Sequence, residues 1–256
     1  MAQKERLEQI EQMIREEKRV TVTDLSDRLG VTPETIRRDL EKLEDKQLLT
    51  RTYGGAVLRQ GNVPEKVSFQ YREKTNVEAK HVIAQLAAGQ VPANASIGCD
   101  ASSTSMEFLN VLKDRSDVLV LTNSAKAIQD LDSYEFRLLS TGGYVNTQSY
   151  SMQGGTARNL IQEYYLDQIF MSCKGIGYDG GIFDSHELEI DMKKSMLEQG
   201  GKRYLLVDHM KFGNVGFTKL ANLRQMDVVI TDRKPSVEWM DLFEKNGLQV
   251  LYPKED

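Results

Sequence analysis

From residue 95 onward, short apolar runs alternate with amphipathic stretches, and this alternation constrains the fold more than any other feature of the chain. The runs at residues 95–99, 118–121, 136–139, 168–173, 203–207, 228–230 and 248–252 have the length and β-branched content of buried strands. Between and after them, residues 104–113, 125–131, 156–165, 188–199 and 237–246 carry helical spacing of apolar positions. Strands that alternate with helices read as a mostly parallel sheet wrapped by helices, so the expected class of this part is α/β.

The residues just after each strand are as informative as the strand. The successive ends read Asp100-Ala101-Ser102-Ser103-Thr104, Thr122-Asn123-Ser124, Thr141-Gly142-Gly143, Lys174-Gly175, Asp208-His209-Met210-Lys211 and Thr231-Asp232. In an open parallel sheet the carboxyl ends of the strands share one edge, and ligands bind there. Hydroxyls, an amide, glycines and lysines on one edge suit a small, polar, anionic molecule. The Asp100 to Thr104 turn joins a strand end, three hydroxyl residues and a helix start, the parts of a phosphate cradle at a helix N-terminus. Asp100 would repel such a phosphate and is expected to accept from sugar hydroxyls instead; simple N-capping by Ser102 or Ser103 is the alternative. Lys174 can make a charge-assisted contact to a phosphate or be a surface loop lysine. Glu189 and Lys193, four apart on a helix, read by default as an exposed ion pair, though either can border the site. Cys99 and Cys173 read as small buried strand residues, and two cysteines make no disulfide framework.

The first sixty residues have a different pattern. Leu7, Ile10, Met13 and Ile14 form the inner face of one helix, and Leu25 and Leu29 that of a second over residues 24–29, which Thr21 or Thr23 can cap. Gly30 stands where a helix ends in a left-handed conformation, and Val31 is a buried turn residue. Residues 32–43 come next, with Ile36, Leu40 and Leu43 on one stripe, and Thr35, Arg38 and Lys42 opposite, flanked by Arg37. Thr32 can cap this helix and Pro33 fits its first position. Helix, glycine turn, helix is the spacing of a helix-turn-helix, whose second helix enters the DNA major groove. Gly54-Gly55 between two short β-prone runs signals a hairpin, the wing of a winged helix, with Arg51 and Arg59 placed to meet phosphates. A three-helix protein-contact module is the bland alternative.

Bulk charge lends no support to DNA binding. The chain of 256 residues carries a formal net charge of −5, and residues 1–58 hold eleven Lys and Arg against twelve Asp and Glu. Placement of the basic side chains must therefore carry the case. No apolar run is long enough to span a bilayer and the first residues read as charged helix, so no membrane partner and a cytoplasmic location are expected. His81, His186 and His209 form neither a metal spacing nor a nucleophile–base motif, and no Gly-x-x-x-x-Gly-Lys phosphate loop exists. No metal, cofactor or catalytic residue is expected.

The motif from Val31 to Leu40, with its Thr35-Ile36-Arg37-Arg38-Asp39-Leu40 core, and then Tyr53-Gly54-Gly55-Ala56, resembles the DNA-binding domain of the DeoR family of bacterial transcriptional regulators. The later segments at Asp100–Thr104, Thr122–Ser124, Gly142-Gly143, Asp208 with Lys211-Phe212, and Thr231-Asp232 resemble its effector domain. That resemblance implies a winged helix over residues 3–58, a linker over 59–67, and an effector-binding and oligomerisation domain over 68–256, similar in fold to ribose-5-phosphate isomerase. It implies a repressor of a carbohydrate-utilisation operon, a dimer or tetramer, released from operator DNA by a phosphorylated sugar. The candidate DNA-facing residues are Thr21, Thr32, Glu34, Thr35, Arg37, Arg38, Lys42, Arg51, Tyr53 and Gly54, with Asp39 orienting a neighbouring arginine. The ligand set is Asp100, Ser102, Ser103, Thr104, Thr122, Asn123, Ser124, Thr141, Gly142, Gly143, Lys174, Gly175, Glu189, Asp208 and Lys211. Many members have Gly-Ala-Asp-Gly where Ser172-Cys173-Lys174-Gly175 stand here. The other reading is an isomerase-like enzyme carrying a DNA-binding domain.

Overall fold

A computed structural model describes residues 3–17, 19–45, 48–52, 54–58 and 68–254. The chain divides into two compact units, Met1–Pro64 and Glu65–Asp256. The first runs α1 (Gln3–Glu17), β1 (Arg19–Thr21), α2 (Val22–Leu29), α3 (Pro33–Asp45), β2 (Leu49–Thr52) and β3 (Gly55–Leu58). Its core is the apolar stripe read from the sequence: Ile10 and Ile14 of α1, Leu25 and Leu29 of α2, and Ile36, Leu40 and Leu43 of α3 are all buried. Thr21 caps α2, its Oγ1 accepting from the Asp24 N–H at 3.1 Å, so the helix starts at Val22 and not at residue 24. Gly30 ends it at φ 64°, a conformation that costs glycine nothing. Val31 is only partly buried and offers its carbonyl to Ser26 Oγ at 2.5 Å. The hairpin of β2 and β3 is present, and β1, which the sequence did not reveal, pairs with β3 to make a three-stranded wing sheet.

The second unit runs α4 (Phe69–Glu73), α5 (Val77–Ala88), β4 (Ser96–Cys99), α6 (Ser103–Val111), β5 (Leu119–Thr122), α7 (Ala125–Gln129) and β6 (Arg137–Ser140). Then come β7 (Tyr144–Asn146), β8 (Ser151–Gln153), α8 (Gly155–Gln162), β9 (Leu166–Ser172), β10 (Gly175–Ile176), β11 (Gly181–Asp184) and α9 (Glu187–Gln199). The chain ends with β12 (Gly200–Leu206), β13 (Thr218–Asn222), β14 (Val228–Ile230), α10 (Val237–Lys245) and β15 (Gln249–Leu251). All seven expected strands join one sheet in the order β15-β14-β12-β9-β4-β5-β6, and every pairing is parallel.

Period-two alternation sends side chains of each strand to opposite faces. On β9 and β12, Phe170, Tyr204 and Leu206 pack under α5 and α6 with Phe108, while Ile169, Met171 and Leu205 pack under α8, α9 and α10 with Met192, Met196 and Phe243. Burial on both faces is why these strands read as continuous apolar runs. From β4 the chain steps outward through β5 to β6, then returns to β9 on the other side of β4 and steps outward again. The crevice between the carboxyl ends of β4 and β9 is therefore the topological switch point, where such folds bind ligands.

Five short strands had no legible signal. The β7–β8 hairpin and the antiparallel sheet β10-β11-β13 lie in glycine- and polar-rich segments that read as loops. They shape the sheet edge: β10 follows β9 directly, and β11 returns the chain so that Asp184 ends beside the β4–β9 crevice.

Candidate functional site

The first unit presents α3. Its stripe of Ile36, Leu40 and Leu43 faces the core, leaving Thr32, Glu34, Arg37, Arg38 and Lys42 exposed and Thr35 half-buried. Thr32 Oγ1 accepts from the Thr35 N–H at 3.3 Å, the expected cap. The Arg37 and Arg38 side chains are 54% and 74% exposed, so both are available to DNA. Each leans on Glu34, at 3.2 Å from Arg37 Nη1 and 3.9 Å from Arg38 Nε. Exposed pairs of this kind are worth well under ~1 kcal/mol and yield readily to phosphates or base edges. Asp39 does hold an arginine, but not a neighbour: it is buried and accepts from Arg6 Nε of α1 at 2.6 Å. The pair ties α1 to the middle of α3, directly after the two exposed arginines. Thr21 is exposed with its hydroxyl engaged in the α2 cap, and Arg51 is exposed on β2, its backbone N–H given to Glu44 Oε1 at 2.8 Å. Gly54, at φ 92°, makes the wing turn. Tyr53 and Arg59 lie outside the described residues.

The second unit gathers the strand-end residues at the carboxyl edge. Asp100 is buried and its carboxylate is already engaged: Oδ1 accepts from Ser102 Oγ at 2.9 Å and from Ser105 Oγ. Asp100 Oδ2 lies 2.9 Å from Lys193 Nζ, off the line of a hydrogen bond. It is thus a framework residue of the turn, contrary to the expectation of a free acceptor for sugar hydroxyls. Ser102 caps α6 by accepting from the Ser105 N–H at 3.1 Å, so the capping alternative describes this residue. Ser103 and Thr104 are buried next to it, and Thr104 Oγ1 has no hydrogen-bond partner among the described residues.

Lys193 is the largest departure from the sequence reading. Neither it nor Glu189 is an exposed pair member; both are buried. Lys193 Nζ lies 2.5 Å from Asp184 Oδ2 and donates to the Ser172 carbonyl at 2.7 Å. Burial alone would lower its proton affinity, but Asp100, Asp184 and Glu189 together raise it well above the ordinary lysine value. Burial likewise pushes Asp184 upward, and Lys193 and Lys174 override it to hold the carboxyl below its usual range. Two carboxylates sharing one ammonium bind β4, α9 and β11 together under the crevice. Asp184 escaped the sequence reading because its strand, β11, was illegible. Glu189 Oε1 remains buried without a hydrogen-bond partner among the described residues.

On the β5 side, Asn123 Nδ2 donates to the Met152 carbonyl at 3.1 Å, and its buried Oδ1 has no partner among the described residues. Thr122 Oγ1 accepts from the Ser124 N–H, and Ser124 caps α7, so both serve the backbone. Thr141 is buried and Gly142 and Gly143 turn at φ 61° and 102°. A Cβ on Gly143 would stand 2.6 Å from the Gln153 carbonyl oxygen, so only glycine fits beneath β8.

On the β9–β12 side, Gly175 packs so closely on Asn214 that a Cβ would come within 2.2 Å of its carbonyl oxygen. Lys211 donates to Ser172 Oγ at 2.8 Å and lies 3.5 Å from Asp208, a buried residue that caps the turn after β12. Among the described residues the Lys174 ammonium makes no hydrogen bond or ion pair, and burial, reinforced by Arg72 and Lys211, pushes its pKa down to about 7. Burial and Lys211 push Lys80 down to about 8. Arg72 and Lys80, from α4 and α5, were invisible to a reading that looked only at strand ends. Cys99 and Cys173 are buried, as expected; burial pushes the Cys173 thiol up to about 12 and Cys99 well above its usual value.

No helix among the described residues is long and apolar enough to cross a membrane. A winged helix with a basic exposed α3, joined to a doubly wound unit with a polar switch point, defines a two-part DNA-binding regulator. Models of the DeoR-like helix-turn-helix domain and of the DeoR C terminal sensor domain match residues 6–61 and 75–233. The HTH-type transcriptional regulator YulB of Bacillus subtilis is 38% identical over 229 residues, 89% of this chain and 88% of the relative. The L-fucose operon activator of Haemophilus influenzae is 36% identical across 88% of this chain and 90% of its own length. The glycerol-3-phosphate regulon repressor of Escherichia coli is 28% identical across 98% and 99%. Among solved structures, ribose 5-phosphate isomerase A of Methanocaldococcus jannaschii aligns with 54% of this chain and 55% of its own, at TM-score 0.41 and 19% identity. The chain belongs to the DeoR family of transcriptional regulators and carries that family's DNA-binding helix-turn-helix.

Proposed function

We propose that the chain is a cytoplasmic repressor of a carbohydrate-utilisation operon that a phosphorylated sugar releases from its operator. The observation that carries this reading is chemical asymmetry at the switch point. Among the described residues, Thr104 Oγ1, Asn123 Oδ1 and Glu189 Oε1 are buried without hydrogen-bond partners, and Lys174 is an unpaired cation on the same edge. Buried polar groups left unpaired are costly. Acceptors on one side and a cation on the other suit a molecule with hydroxyls at one end and a phosphate at the other. Two relatives govern an L-fucose operon and a glycerol-3-phosphate regulon, which fits that chemistry.

Release requires that the operator-bound state bind the effector more weakly, by the same factor with which effector weakens operator binding. A dimer or tetramer supplies the second recognition helix that a short single α3 needs for specific affinity. We read the protein as a sensor that does not turn its ligand over: the relatives are transcriptional regulators, Asp100 and Asp184 are committed to Lys193, and Glu189 is left as an acceptor for a ligand hydroxyl.

A thermal-shift panel of pentose, hexose and triose phosphates, repeated with operator DNA, tests the reading. A ligand at a hundred times its Kd adds ~2.7 kcal/mol and raises the sensor transition by roughly 5–11 °C. Failure of every phosphorylated sugar to raise that transition or change operator affinity refutes the proposal, and appreciable isomerisation of any of them favours the enzyme reading.

A further inference from the structure

The sensor unit begins with α4, a short helix with no obvious part in the sheet edge, yet it is fastened there. Phe69 is buried and its N–H donates to the Gln148 carbonyl at 2.8 Å. The Lys80 ammonium donates to the carbonyls of Arg72 and, at 2.6 Å, of Thr75, satisfying the end of α4. Asn76, at φ 52°, donates through Nδ2 to Asp208 Oδ1 at 3.3 Å, tying the α4–α5 turn to the end of β12. This brings Arg72 towards the loops that carry Lys174 and Lys211, and both Arg72 and Lys211 act on the Lys174 ammonium and on Lys80.

Their partners are few. Lys211 has Ser172 and a longer approach to Asp208. The Arg72 guanidinium rests over the Phe69 ring, its Cζ 5.6 Å from the centroid, and among the described residues it makes no hydrogen bond or ion pair; its Nε is buried. A buried lysine repelled by two further cations from other parts of the chain, with no counter-ion on it or on Arg72 among the described residues, is unfavourable until an anion joins them. The serine turn at Ser102 is less suited to that anion, because Ser102 and Ser105 are spent on the Asp100 carboxylate, which would face it.

Resting on the sensor reading above, we infer that Arg72, Lys174 and Lys211 seat the dianionic phosphoryl group of the effector, and that the group clasps α4 to the sheet edge. An arginine fork binds phosphate oxygens bidentately, and the two lysines add point charges. Because α4 is the first described element of the sensor unit, ligand occupancy is read out at the segment where this unit meets the rest of the chain.

The test uses the full chain with inorganic phosphate, glycerol 3-phosphate and glycerol as probes, by calorimetry and by hydrogen exchange at residues 69–75. Wild type binds the phosphate ester more tightly than free phosphate, ignores glycerol, and slows exchange at those residues. Arg72→Gln loses at least tenfold in affinity for both phosphates and the slowing, while Arg72→Lys retains part of each. The Ser103→Ala, Thr104→Ala double variant keeps its affinity for inorganic phosphate. Without ligand, Arg72→Gln keeps the wild-type melting temperature; should it melt early, Arg72→Lys carries the comparison. Wild-type phosphate affinity in the Arg72 variants, or a loss confined to the Ser103, Thr104 variant, overturns this seat while leaving the sensor reading intact. Absence of binding by wild type to any phosphorylated sugar overturns both.

Discussion

Lys193→Met tests the framework beneath the crevice. The substitution keeps the aliphatic stem but removes the ammonium that lies 2.5 Å from Asp184 and 2.9 Å from Asp100, leaving two buried carboxylates without a counter-ion. Breaking a buried ion pair by removing one partner costs ~3–5 kcal/mol. For a unit of this size, that lowers the sensor's melting temperature by roughly 6–20 °C. In wild type, Asp184 has a depressed folded pKa, so its contribution is present above its unfolded value of 3.8 and fades as pH falls through the folded one. Lys193 has a raised folded pKa, so its contribution is complete below 10.5 and fades only as pH rises past the folded value. Wild-type stability from this cluster is therefore flat across the neutral range. In the variant, Asp184 keeps its burial and loses its counter-ion, so its carboxyl pKa rises and stability is lost as pH rises through it. The deficit is smallest near pH 5 and largest near pH 8, and adding Asp184→Asn recovers part of it. Calorimetric scans of the full chain at pH 5, 6.5 and 8 measure this. A loss below about 1 kcal/mol at pH 8, or a deficit that shrinks with rising pH, refutes the assignment of Lys193 as a buried counter-ion.

Two further expectations concern the two working surfaces. Arg38→Ala removes the most exposed arginine of α3 and costs about 1–3 kcal/mol per half-site, tenfold or more in operator affinity by fluorescence anisotropy, with phosphate binding unchanged; undiminished operator affinity removes Arg38 from the recognition face. Lys174, at about 7 when unliganded, takes up a proton when a dianion binds beside it, so affinity for a phosphate ester falls as pH rises, by roughly twentyfold at most between pH 6.5 and 8.5. Calorimetry in buffers of different ionisation enthalpy counts that proton, and Lys174→Arg flattens the pH profile; a flat wild-type profile refutes the linkage.

Much of both units was legible because their signals are local. The turn at Gly30, the stripe of Ile36, Leu40 and Leu43 and the Gly54-Gly55 hairpin each lie within a few residues, and each element formed where read. The seven strands of the large sheet were found within two or three residues at each end because burial on both faces leaves apolar runs that need no partner to recognise. The short strands β7, β8, β10, β11 and β13 were missed because strands of two to five residues, set among glycine and polar residues, are too short to show periodicity.

Local pattern alone dictates that a basic-faced helix follows a glycine turn, and that polar residues end six strands of a wound sheet. How those polar groups are spent is settled in three dimensions. Asp39 turns inward because Arg6, 33 residues away in the chain, meets it in the core. Asp100 is a framework residue because Lys193, nearly a hundred positions later, is brought beneath it by α9, and Arg72 reaches the ligand edge through a turn pinned to Asp208. Periodicity and capping act between neighbours in sequence and can be read there. The partner of a buried charge is set by which strand ends the sheet order places together, and no spacing rule encodes that.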